Sequence, residues 1–344
     1  MTIPLSVLDL APVPSGTASA EAARRTVDLA RLADRLGYVR YWFAEHHGMA
    51  SVASSAPEIL IAHVAAATQR IRVGSGGIML PNHAPLRIAE AFHTLEALHP
   101  GRIDLGIGRA PGSEPAASRA LRAFDGEQFP SQLSELLGLS QGDLPERHPF
   151  RRVRVMPDGL KLPPIWLLGS SGASARMAGG AGMGYSFASH FSATPAAPAF
   201  AAYRQSFIPS AQFPRPHAIL VVAVVCAAST ERAQHLALTM DLARLRINRG
   251  EFLPLPSPEE ALAYPYNAAE REALLHYRQM TIVGTPQAVR AQIEAKAGDC
   301  GADEVMVVSN LHDHAERLRG YELLAAAFAA PGQGTPDAAP GSVI

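Results

Sequence analysis

Three short segments carry residue types that could do chemistry. The first is Glu45-His46-His47. Imidazole titrates near neutral pH and suits general acid–base work. If the segment is a strand end, adjacent side chains point to opposite sides and one histidine faces a pocket. A metal site would need further ligands, and no HExxH spacing occurs. The plain alternative is a hydrogen-bonded histidine pair under a loop. The second segment is VGSGGIMLPNH (73–83), with Gly74, Gly76 and Gly77 inside four residues. Such glycines weaken a strand and mark a bulge, a tight corner or a ligand lying against bare backbone. The third signal is a pair, LGIGRAPG (105–112) and LLGSSG (167–172). Exposed amides after a strand, a hydroxyl and a helix beginning at Ser174 make an anion site. Arg109 could add a bidentate contact to a phosphate.

These segments sit where β-type runs stop. Runs at 3–10, 38–47, 71–80, 102–109, 163–171, 185–191, 218–227 and 304–310 read as eight strands. Helical stretches lie between them, the first with Ala23, Val27, Ala30, Leu32 and Leu36 on its apolar face and ending at Gly37. Strands alternating with helices imply βαβ units and a parallel sheet. The doubly wound alternative expects a glycine-rich turn after the first strand, where this chain has DLAPVPSG. The expected fold class is therefore α/β, a (β/α)8 barrel with loop insertions at the C-terminal face of the strands, the face on which barrels carry their sites. The barrel is expected to span 1–330 as one domain. Proline-punctuated insertions fall at about 111–162 and 247–284, the second a candidate lid, with a disordered tail at 331–344.

Composition narrows the function classes. The formal net charge is −1, with 30 basic and 31 acidic residues, which argues against a nucleic-acid surface or a polybasic membrane anchor. Lys161 and Lys296 are the only lysines. The two cysteines, Cys226 and Cys300, cannot form a disulfide framework. Cys226 reads as a buried hydrophobe and Cys300 as a thiol in a turn. The N-terminus lacks signal-peptide character, and no apolar run reaches membrane-spanning length. A cytoplasmic protein is expected.

The blocks RYWFAEHHG, IRVGSGGIMLPNHAPLRIAEAFHTLEALHPGRIDLGIGRAPG and PPIWLLGSSGASARMAGGAGMGYSFASHF together resemble the bacterial luciferase-like flavin monooxygenases. The resemblance is greatest to the single-component subgroup of luciferase family oxidoreductases. It runs from the first strand to about Phe213, weakens over 230–300 and returns at EVMVVSN. It implies a (β/α)8 barrel, usually a homodimer, that binds FMN at the C-terminal strand ends. It also implies reduced FMN supplied by a separate NAD(P)H-dependent reductase, and reaction with O2 through a C4a-(hydro)peroxyflavin to oxidise a small organic substrate. Carried over by position, His46 matches the catalytic histidine, with Glu45 and His47 as orienting or structural neighbours. Ser75, Gly76, Gly77 and Met79 match the bulge that receives the isoalloxazine, often with a non-prolyl cis peptide. Arg109, Gly169, Ser170 and Ser171 match the phosphate site; no metal is implied.

Two departures limit the transfer. Gly108 stands where bacterial luciferase has a reactive cysteine, and MGYSFA replaces the LPFAFA-like entry to the sixth strand. Neither light emission nor a particular substrate is implied. Two other readings remain: an F420-dependent oxidoreductase that moves hydride, and a flavin-binding protein without turnover.

Overall fold

Parallel strands of four to nine residues, interleaved with helices, build the computed structural model, which describes residues 2–121 and 125–329. β1 (Leu5–Asp9) leads to α1 (Ser19–Leu36), β2 (Arg40–Phe43) to α2 (Pro57–Ala67), and β3 (Arg72–Met79) to α3 (Pro85–Leu98). β4 (Ile103–Gly108) precedes α4 (Pro115–Leu121) and α5 (Phe129–Gln141). β5 (Ile165–Gly169) leads to α6 (Gly172–Gly180), and β6 (Gly184–Ala188) to α7 (Ala196–Ser206). β7 (Ala218–Cys226) is followed by α8 (Thr230–Asn248), α9 (Pro258–Ala263) and α10 (Ala268–Arg278). β8 (Thr281–Gly284), α11 (Pro286–Cys300), β9 (Glu304–Val308) and α12 (His314–Phe328) complete the described chain.

Strands β1 to β7 pair in sequence order, and β9 inserts between β7 and β1. The result is a closed eight-stranded parallel barrel wrapped by helices, the (β/α)8 architecture. Alternation along the strands sorts two cores. Leu8, Trp42, Trp166, Val221, Met306 and Val308 fill the barrel interior. The larger cluster, with Val7, Tyr41, Val73, Leu105 and Leu167, faces the helices. Local signals place the helix ends. Gly37 stops α1 in the left-handed region at φ 81, and prolines open α2 and α3, where a missing N–H costs nothing.

The N-terminal end of the barrel is closed by charge. Arg40 reaches Asp104 at 2.7 Å and Glu304 at 3.0 Å, and Arg72 reaches the other Asp104 oxygen at 2.7 Å. Ser6 and His217 also meet Glu304, and the Trp42 indole N–H donates to Asp104. Burial alone would raise both carboxyl pKa values, but Arg40, aided by Arg72 at Asp104 and by His217 and Ser6 at Glu304, keeps them below the ordinary range. This floor leaves the opposite, C-terminal end for a site.

Several expected boundaries change. The second strand stops at Phe43 instead of continuing to His47, so Glu45, His46 and His47 belong to the following loop. Residues 281–284, expected within an insertion, form β8, which pairs with Ala223–Cys226 of β7 above the closed ring. Four residues are too few to show a period. The same stretch contains α9 and α10. Cys300 does not lie in a turn but ends α11, its thiol directed to the Lys296 carbonyl at 3.1 Å. In α1 the buried face uses Ala22, Leu29 and Ala33, whereas Ala23 and Leu36 are only half-buried. The tail at 331–344 lies outside the described residues. Among the described residues, no helix is long and apolar enough to cross a membrane.

Candidate active site at the mouth of the barrel

The loop after β2 turns a carboxylate into the protein. Glu45 is fully buried. It accepts hydrogen bonds from the Met79 N–H at 2.8 Å and the Asn82 amide at 3.1 Å. His47 and His83 each approach it through Nε2 at 2.9 Å. Burial alone would raise the Glu45 pKa. The bonds from His47, His83 and Met79 outweigh it and hold the group at about 2. The His83 pKa moves up, because Glu45 offsets the cost of burying the charged ring. Glu45 thus ties the EHH loop to the end of β3.

His46 is held differently. Its backbone N–H donates to Ser54, and its Nδ1 lies 2.9 Å from the Gly112 carbonyl oxygen. A carbonyl can only accept, so this contact assigns the proton to Nδ1 and leaves Nε2 as a lone-pair acceptor. Burial pushes the His46 pKa below the usual histidine value despite the Gly112 bond. The ring is neutral near pH 7 and can take up a proton at Nε2.

The glycines of β3 mark a bulge. The β3–β4 register slips between Ser75 and Ile78, and the Gly76–Gly77 peptide is cis. A Cβ at Gly76 would stand 2.8 Å from Leu8 and 3.1 Å from Trp42; one at Gly77 would stand 2.7 Å from the Gly106 carbonyl. Close packing within the barrel therefore accounts for both missing side chains. Ser75 is fully buried and donates to the Gly106 carbonyl at 2.8 Å, which pins the bulge. The Met79 side chain lies over Gly108 and Gly112, where added Cβ atoms would meet it at 2.6 and 2.8 Å.

The other expected residues gather on the neighbouring strands. β4 and β5 are registered at Ile107–Leu167, so Arg109 and Gly169 leave the barrel side by side. Arg109 is exposed. Gly169 makes room for Ser174, whose hydroxyl donates to the Ser171 carbonyl at 2.9 Å. Helix α6 begins at Gly172 rather than Ser174, with Ser171 as an N-cap whose side chain caps nothing. The first amides of α6 are thus available to an anion beside Ser170 and Ser171. Arg176 is a residue that sequence reasoning missed: its guanidinium comes within 3.4 Å of a Cβ built at Gly172.

Asn82 and His83 were in plain view in the PNH motif, yet their bonds to Glu45 depend on the fold. His190, two residues after β6, is a strand-end histidine that position selects but to which the sequence assigns no role. Burial, Arg244 and His46 keep it neutral, with a pKa of about 3. Asn82 Oδ1, His190 Nδ1 and Asn310 Oδ1 are buried at the C-terminal ends of strands with no partner among the described residues. Such orphaned atoms are costly unless something fills them. Among the described residues, no three His, Cys, Asp or Glu side chains are arranged to hold a metal ion.

The model of one family, described as luciferase-like monooxygenase, matches residues 3–304. The chain is 47% identical to the Bacillus subtilis protein YvbT, over 93% of this chain and 95% of that one. It is 41% identical to a luciferase-like monooxygenase of Escherichia coli, over 94% and 96% of the two chains. It is also 33% identical to an N-acetyl-S-alkylcysteine monooxygenase of Bacillus subtilis, over 95% and 99%. Among solved structures, apo-MsnO8 superposes with a TM-score of 0.84 at 40% identity, covering 95% of this chain and 98% of that one. Two others share the fold alone. The oxygenating constituent of 3,6-diketocamphane monooxygenase from Pseudomonas putida, in complex with FMN, has a TM-score of 0.68 at 18% identity, covering 94% and 97%. An F420-dependent secondary alcohol dehydrogenase has a TM-score of 0.66 at 12% identity, covering 96% and 100%.

Proposed function

The chain belongs to the luciferase-like monooxygenase family, and from that premise we propose that it is an FMN-dependent monooxygenase acting on a small organic substrate. Bound reduced FMN would supply the activation of O2, chemistry that no side chain performs. The single observation that carries the reading is His46, neutral and fixed at Nδ1 by Gly112, with Nε2 left to handle a proton at the barrel mouth.

The residues present fit the cofactor. The uncapped amides of α6, with Ser170, Ser171 and Arg109, suit a phosphate, and Arg176 adds a second cation. The bulge at Ser75, Gly76 and Gly77, with Met79 beside it, suits a flat ring system, and the orphaned Asn82 and Asn310 oxygens suit its polar edge. The apolar interior around Trp42 and Met306 excludes water from below, which protects oxygen chemistry from side reactions. His46 then exchanges a proton through Nε2 with the bound reactants, while Glu45 keeps the loop in place. A separate NAD(P)H-dependent reductase would deliver the reduced flavin.

The substrate of the relative acting on N-acetyl-S-alkylcysteine makes small thioethers the first compounds to assay. F420-dependent hydride transfer is the second reading, supported by the same fold in an F420-dependent dehydrogenase. Anaerobic titration of the protein with reduced FMN and with reduced F420 separates them. Tighter binding of FMN is expected; exclusive binding of F420 would overturn the proposal, and FMN binding without oxygen chemistry would favour a flavin-binding protein without turnover.

A further inference from the structure

Arg244 projects from α8 and donates to the His190 carbonyl oxygen at 3.0 Å. Its side chain is half-buried. Among the described residues no carboxylate lies within ion-pair distance of it. A cation removed from water normally has a counter-charge, because desolvation is otherwise uncompensated. The obvious partner on the same helix is Asp241, one turn earlier. That carboxylate is already taken: Arg278 of α10 grips it through Nε at 3.0 Å and through Nη2. Arg244 is thus left with an open guanidinium fork.

A second observation lies in the residue that Arg244 bonds. His190 Nδ1 is buried with no hydrogen-bond partner among the described residues, although the residue follows the C-terminal end of β6. His46 leaves β2, on the far side of the barrel from β6, yet lies close enough to His190 that a charge on one ring would disfavour a charge on the other. The guanidinium without a carboxylate and the orphaned imidazole nitrogen are therefore neighbours, since Arg244 holds the backbone carbonyl of His190 itself. Their chemistry is complementary to an oxyanion that accepts from both: a fork for two oxygens and, in the tautomer protonated at Nδ1, a ring N–H beside it.

We propose that Arg244 and His190 form a binding site for a carboxylate on the organic substrate, which anchors it across the mouth from His46. This assignment rests on the monooxygenase reading for the word substrate, but not for the anion site itself. An FMN phosphate offers similar chemistry, so the test includes the cofactor.

Calorimetric titration of the ligand-free protein with acetate, (methylthio)acetate and benzoate, each beside its primary amide, tests the site directly. At least one acid is expected to bind at least tenfold more tightly than its amide. In Arg244→Met that preference falls to within twofold, while the melting temperature of the ligand-free protein is not lowered. His190→Leu, which leaves the backbone carbonyl in place, reduces the preference by a smaller factor. The ratio of affinities for reduced FMN over reduced riboflavin stays the same in Arg244→Met. The site is refuted if no acid is preferred over its amide, if the preference survives Arg244→Met, or if that variant melts markedly lower, as a structural arginine would. Collapse of the FMN-to-riboflavin ratio would assign Arg244 to the cofactor phosphate and overturn the proposal. Failure of any flavin to bind would defeat the monooxygenase reading while leaving the acid–amide result standing.

Discussion

The Gly112 carbonyl oxygen lies 2.9 Å from His46 Nδ1, joining the loop after β4 to the loop after β2. The contact selects one tautomer and one ring orientation. Replacing His46 with alanine should lower turnover or raise uncoupled hydrogen peroxide release by 10²-fold or more, the usual scale for a proton-transfer group. FMN affinity should change much less. Steady-state assays with oxygen and peroxide readouts check this. The acid limb assigned to His46 should lie below the usual histidine pKa, since burial depresses it.

Gly112 itself is constrained twice. It has φ +63, and a Cβ there would stand 2.8 Å from the Glu45 carbonyl and 2.8 Å from Met79. Gly112→Ala should therefore shift the carbonyl that holds His46. The expected result is a kcat loss approaching that of His46→Ala with FMN affinity retained; unchanged kcat would mean that the contact is dispensable.

The Glu45 cluster predicts an acid limit to stability. A carboxyl held at about 2, against 4.5 unperturbed, stabilises the fold fully above pH 4.5 and loses that contribution as pH falls toward 2. Its size is roughly 3 kcal/mol. His83 has the opposite sign: its raised pKa stabilises below 6.5 and ceases to do so as pH rises through the folded value. Denaturant unfolding of the wild type and Glu45→Gln should show a stability gap near pH 5–6 that narrows toward pH 3.

The charged floor predicts a different loss. Arg40→Met would leave Asp104 and Glu304 buried without their shared cation. The expected destabilisation is about 3–5 kcal/mol, with part recovered when Asp104→Asn and Glu304→Gln are added. Chemical denaturation at pH 7 measures both.

The barrel was legible in the sequence because eight β-type runs alternate with helices and no glycine-rich turn follows the first of them. The EHH and GSS segments were legible because they follow strands closely, and the glycine-rich segment because three glycines interrupt a β-type run. The pairing of Arg40 with Glu304 was not, since 264 positions separate them and only closure of the ring brings them together. Nor could sequence show that Glu45 gathers His47, Asn82 and His83, or that Arg278 takes Asp241 and leaves Arg244 open. The four-residue β8 carries no period, and the early end of β2 follows from Glu45 turning inward to partners on β3. Charge partnerships of this kind are properties of tertiary packing rather than of local pattern.

The central claim is that the mouth around His46 holds reduced FMN and directs its reaction with oxygen. Rapid mixing of the protein, preloaded anaerobically with reduced FMN, against aerated buffer tests it most directly. Flavin absorbance and peroxide yield are followed with and without a small thioether. The account predicts reoxidation kinetics distinct from free flavin, and less peroxide when an accepted substrate is present, with His46→Ala returning the yield toward the uncoupled value. Reoxidation indistinguishable from free FMN in the wild-type protein would contradict it.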